Sequence, residues 1–214
     1  MNTSLKVGWS QKDITPKGKK VSLMGQFYER LTTEVDYDLK VTALAMQSGD
    51  TCVTWVSCDL SKISGILTED VREAVKKKNA KIDSSTVFLS AIHTHTAPYF
   101  NTGSLPGLES RFAPSEEGVL TPEEYHALLV EEISNAVVEA NTNIAEGFSV
   151  QTGVSPTATG CCRRGIIQTG EAVMYIDSSR EDFVRMEGPD GGPINLVYLR
   201  DGEDTLKGVV GCVP

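Results

Sequence analysis

The residues best suited to chemistry concentrate in His93-Thr94-His95, which holds two of the chain's three histidines. Imidazole nitrogen is a preferred zinc ligand, and a zinc site is built from three or four converging N, O or S donors. Side chains two residues apart on a strand share a face, so His93 and His95 are expected to point the same way. Such a pair either begins a metal site or is two polar residues at a strand end. Three further residues have suitable types. Asp59 directly follows an apolar run, where a carboxylate either faces a site or caps the next turn. Arg163 and Arg164 either pair with surface acids or present a guanidinium to an anionic or carbonyl oxygen.

The elements that must position these groups follow from periodicity. Val87, Phe88, Leu89, Ala91 and Ile92 form a partly β-branched apolar run of strand length, ending at the histidines before Pro98. Residues 99–120 are rich in Gly, Pro, Ser and Asn without sustained period, and their place after His95 predicts a lid. Thr121-Pro122-Glu123-Glu124 combines an N-cap, a proline at the first helical position and a capping-box Glu. It opens a helix over 122–140 that turns Tyr125, Leu128, Leu129, Ile133, Ala136 and Val137 to the core, with His126 beside the stripe as a surface histidine.

Upstream, a short strand covers 5–9, and Asp13 reads as a turn cap. Segments 39–47 and 52–58 form a hairpin around Ser48-Gly49-Asp50, the second strand being apolar enough to be central. Thr68-Glu69-Asp70 opens a helix to about Lys78, with acids in its first turn and three lysines in its last. Downstream lie a strand at 147–154, an irregular loop at 155–170 carrying the arginines, and a hairpin of 193–200 with 206–213. Helices after strands imply crossovers onto a partly parallel sheet, whereas the short turns imply antiparallel pairs. The expectation is a single α/β domain over 1–214, with mixed sheet or sheets flanked by helices and a strand order that cannot be derived.

Composition narrows the partners. Forty per cent hydrophobic residues suffice for a sizeable core, and a net charge of −9 argues against nucleic acid, whose phosphates draw clustered Lys and Arg. Five cysteines form no CxxC pair, and Cys52 and Cys58 would lie about 20 Å apart along a strand, too far for a disulfide. They read as reduced thiols, mostly buried. The first residues lack a signal-peptide core and no run approaches transmembrane length. A cytoplasmic protein without stable membrane insertion is expected, or a secreted one if a leader was removed.

Taken in order, VGWSQKDITP, Leu23-Met24-Gly25, VTWVSCDLSKIS, SAIHTHTAP, the arginine loop at 161–165 and the closing strands from Pro193 resemble the N-terminal catalytic domain of the neutral (non-lysosomal) ceramidase family. Among these only the histidine stretch is specific. The resemblance implies a zinc-dependent amidase whose metal is held by His93 and His95, with a third histidine after the closing strand and a Glu and a Tyr much further on. The Glu and Tyr have no counterparts in this sequence, since the family domain is roughly twice this length, and the third histidine is expected at or just beyond Pro214. Val213 stands in the third histidine's place in one alignment. Asp59 could supply a third ligand or orient an imidazole, and Cys212 is a softer candidate.

What this implies is hydrolysis of an N-acyl, ceramide-like amide by zinc-activated water, with Arg163 or Arg164 steadying the oxyanion. The alternative is a non-catalytic or incomplete domain with a vestigial pair, serving binding or assembly through self-association or packing with a missing C-terminal half. That reading predicts an exposed apolar surface. Ester or phosphate hydrolysis with Mg or Mn is a third possibility, favoured by additional carboxylates near the pair.

Overall fold

Alternating small and β-branched residues build the centre of this molecule. The computed structural model describes residues 5–26, 28–100, 116–156, 159–188 and 191–213, so most of the expected lid lies outside the described residues. The chain divides into two units, 1–146 and 147–214.

In the first unit, β1 (Leu5–Asp13), β4 (Lys40–Ser48), β5 (Thr51–Cys58) and β6 (Val87–Ala91) are neighbours in that order, while the short β2 (Val21–Ser22) and β3 (Leu31–Thr32) pair antiparallel in a sheet of their own. The β1–β4 and β4–β5 pairs are antiparallel and the β5–β6 pair is parallel, so the sheet is mixed, as expected. β5 lies inside it. Its parallel neighbour is reached through α1 (Gly65–Lys78), a βαβ crossover.

Period-two burial puts Val41, Ala43, Ala45, Val56, Cys58 and Val87 into one core with Leu67, Val71 and Val75 of α1. Tyr125, Leu129, Ile133, Ala136 and Val137 of α2 (Pro122–Thr142) join the same core. Fully burying each Val, Leu or Ile among them contributes roughly 1.5–3 kcal/mol. On the other sheet face, Trp9, Leu44, Trp55 and Phe88 sit at directly opposed positions across four strands. Trp55 and Phe88 remain 41% and 51% exposed.

The capping box of α2 is formed as the sequence predicts: the Thr121 hydroxyl accepts from Glu124 N and the Glu124 carboxylate from Thr121 N. α1 differs from expectation. It starts at Gly65, because the Ser64 side chain accepts from Leu67 N, while the Thr68 hydroxyl bonds back to Ser64 O inside the helix. The acids consequently lie beyond the first turn, and only the lysine end matches the dipole argument. His126 is likewise no surface histidine. Its side chain is 15% exposed and its Nε2 meets Asp70 Oδ2 of α1 at 2.8 Å.

The second unit contains β7 (Ala145–Ser155, entering from the first), β11 (Ile194–Arg200) and β12 (Leu206–Cys212), with β11 pairing antiparallel to both. A separate small sheet orders β10 (Phe183–Met186), β8 (Arg164–Ile167) and β9 (Ala172–Met174). The expected loop at 155–170 thus contains a strand. All five cysteines are free, but only Cys58 is buried; Cys161 and Cys212 are exposed, correcting the expectation of mostly buried thiols. Among the described residues no helix is long and apolar enough to cross a membrane.

Candidate functional site

Sites in open α/β sheets gather at the carboxyl ends of parallel strands, and the chemistry-bearing residues of the first unit lie there. Asp59 and Ser61 follow β5, and His93 and His95 follow β6. The histidines are not on the strand. β6 ends at Ala91, Ile92 N still bonds Cys58 O at 3.1 Å, and His93 then takes a left-handed backbone with φ 64°. Histidine is among the few non-glycine residues enriched there.

This turn brings the rings together by a route that strand alternation does not describe. The His93 and His95 centroids are 4.9 Å apart, edge to face, with the two Nε2 atoms 3.3 Å apart. His93 Nδ1 lies 2.6 Å from the Ser61 main-chain carbonyl. A carbonyl only accepts, so Nδ1 carries the proton and the Nε2 lone pair faces His95. Zinc about 2.0–2.1 Å from two imidazole nitrogens at a tetrahedral angle separates them by about 3.3 Å. The separation of the two Nε2 atoms is thus one that two zinc ligands can have, and the carbonyl behind His93 is the partner that ligating histidines ordinarily have.

The loop is anchored from outside. Met24 N bonds Ala97 O at 2.9 Å, Tyr99 N bonds Ser22 O at 2.8 Å, and Leu23 bridges Pro98. Further along the chain, Lys20 bridges Val119 and Leu120 N bonds Lys20 O at 2.8 Å. Alternate loop residues Ile92, Thr94, Thr96 and Pro98 line a cleft of about 470 Å³ together with Leu39 and Asp59; the histidines are not in its wall.

Asp59 Oδ2 accepts from Lys40 N at 2.8 Å, and Asp59 N donates to Lys40 O at 2.9 Å, tying the exit of β5 to the start of β4. Nδ1 of His93 is held by Ser61, a residue that sequence patterns do not single out. The Cys58 thiol is pushed up to about 12 by burial and secondarily by the Asp59 charge, so it is not a thiolate donor. Among the described residues no group of three or more His, Cys, Asp and Glu is placed to hold a metal.

In the second unit, Arg164 is paired with Glu187. Arg163 lies over the Tyr175 ring at 5.3 Å, exposed, and among the described residues no carboxylate pairs with it. Of the two, Arg163 keeps a guanidinium available to an anionic or carbonyl oxygen.

No family model and no curated protein sequence matches the chain. Solved structures do. The whole chain aligns with the neutral ceramidase of Pseudomonas aeruginosa at a TM-score of 0.70 and 17% identity. Its fold is that of part of a neutral ceramidase. A ceramidase complexed with C2 aligns over the whole chain as well, at a TM-score of 0.69 and 17% identity. The chain spans about a third of these proteins, 32% and 31% of their lengths. The ceramidase resemblance read from the motifs thus holds at the level of fold.

Proposed function

We propose that the chain is part of a zinc-dependent hydrolase acting on the amide bond of an N-acyl, ceramide-like substrate, with His93 and His95 as two metal ligands. The observation that carries this is the 3.3 Å approach of the two Nε2 atoms with the His93 tautomer set by Ser61 O. The ceramidase fold supports the substrate class. When bound, the ion supplies an electrophile for a carbonyl oxygen and a water acidified to a pKa of roughly 7. The chain's own part is positional: Ser61 O keeps the His93 proton on Nδ1, and the anchored loop holds the two Nε2 atoms close together.

A second reading is favoured by the lack of a third donor among the described residues. In it, His95 Nε2–H donates to His93 Nε2, and the chain serves binding or assembly. Exposed Trp55 and Phe88 suit that role.

The experiment is metal content per chain by elemental analysis of protein purified without chelator, for wild type, His93→Ala and His95→Ala, followed by assay against a panel of N-acyl amides. Near-stoichiometric zinc in wild type, lost in both variants, is expected. A His93→Ala protein retaining full zinc overturns the proposal, and a metal-free wild type selects the second reading.

A further inference from the structure

We infer that Arg30 and Gly25 are positioning residues for His95, and that they set its distance from His93; the consequence for metal binding rests on the zinc reading above, while the geometry stands without it. Arg30 precedes β3, and its Nη2 donates to two main-chain carbonyls, Met24 O at 3.2 Å and His95 O. Among the described residues no carboxylate pairs with this half-buried guanidinium, and its buried Nε meets no acceptor. A cation placed so is directed at main-chain oxygen, and hydrogen bonds from a charged donor are about twice as strong as neutral ones. The clamp falls on the part of the loop that strand pairing no longer holds, since β6 has ended at Ala91.

Gly25 completes the arrangement at the ring itself. Its φ is 114°, and a Cβ built on it would lie 2.4 Å from His95 Cγ, 2.7 Å from Cβ and 2.8 Å from Cδ2. The imidazole rests on bare backbone, where a methyl group would displace it. Arg30 therefore fixes the main chain of His95, and the missing side chain at Gly25 fixes the ring. Loss of either frees the ring from the 3.3 Å approach to His93.

The test compares wild type with Arg30→Ala, Arg30→Lys and Gly25→Ala. In metal-free protein, imidazole 15N resonances report the His95 and His93 rings; competition with a chromogenic chelator reports zinc affinity; circular dichroism reports the fold. Arg30→Ala is expected to shift and broaden the His95 signals and to weaken zinc about ten- to a hundredfold, the range for residues that orient metal ligands. Arg30→Lys recovers most of both effects, because one ammonium offers several donors from a single point, as Nη2 does. Gly25→Ala moves the His95 signals with helical content unchanged. Wild-type His95 signals in Arg30→Ala overturn the inference, as does a variant altered only in melting temperature. A wild type that binds no zinc overturns the metal reading alone, and the imidazole signals still decide the role of Arg30.

Discussion

His93 donates its Nδ1–H to the carbonyl of Ser61 at 2.6 Å, so a residue just beyond β5 decides which nitrogen a residue just beyond β6 leaves bare. Two-bond 1H–15N spectra of metal-free protein above neutral pH are expected to show the Nδ1-protonated tautomer for His93. An Nε2-protonated His93 would remove the basis for treating the pair as ligands.

Asp70 and His126 join α1 to α2 across the core edge at 2.8 Å. A hydrogen bond to a charged group contributes roughly 1.5–3 kcal/mol when both partners are well desolvated, and less here, where Asp70 is 47% exposed. Asp70→Ala and His126→Ala should each lower stability by about 1 kcal/mol in urea unfolding, and the double variant by less than the sum. Strict additivity would show that the contact contributes nothing.

Asp13 bears on acid stability. Burial works against its charge, yet hydrogen bonds from Lys17 and Thr15 and the charge of Lys40 hold its carboxyl well below the usual carboxylate range. Asp38, bonded to Lys40 and Lys17, is lowered as well. A depressed folded-state pKa means stability fully present above the unfolded value near 4 and lost as pH falls through the folded one. Urea midpoints should therefore fall below about pH 4, and Asp13→Asn should flatten that fall while lowering the neutral-pH midpoint. An identical pH slope in the variant would remove Asp13 from the account.

Much of the first unit was legible, for local reasons. The β4–β5 hairpin announced itself by alternation around Ser48-Gly49-Asp50, with Gly49 at φ 58° in the turn, and α2 by a capping box that satisfies its own amides. Convergence of His93 and His95 was also expected, but on strand alternation; the operative cause is a left-handed residue, which no periodicity encodes. The start of α1 was misplaced because Thr68 and two acids imitate a cap that Ser64 actually provides. The partnership of His126 with Asp70 spans 56 positions and leaves no local trace. β8, β9 and β10 have four, three and four residues, too short for a period to stand out.

One short segment holds both banks of residues 101–115: Leu23 bridges Pro98 on one side and Lys20 bridges Val119 on the other. Pro98 and Val119 are therefore referred to the same short segment of backbone. A change in residues 20–24 is accordingly felt both at the histidine loop and at the approach to α2, two places that lie far apart in sequence.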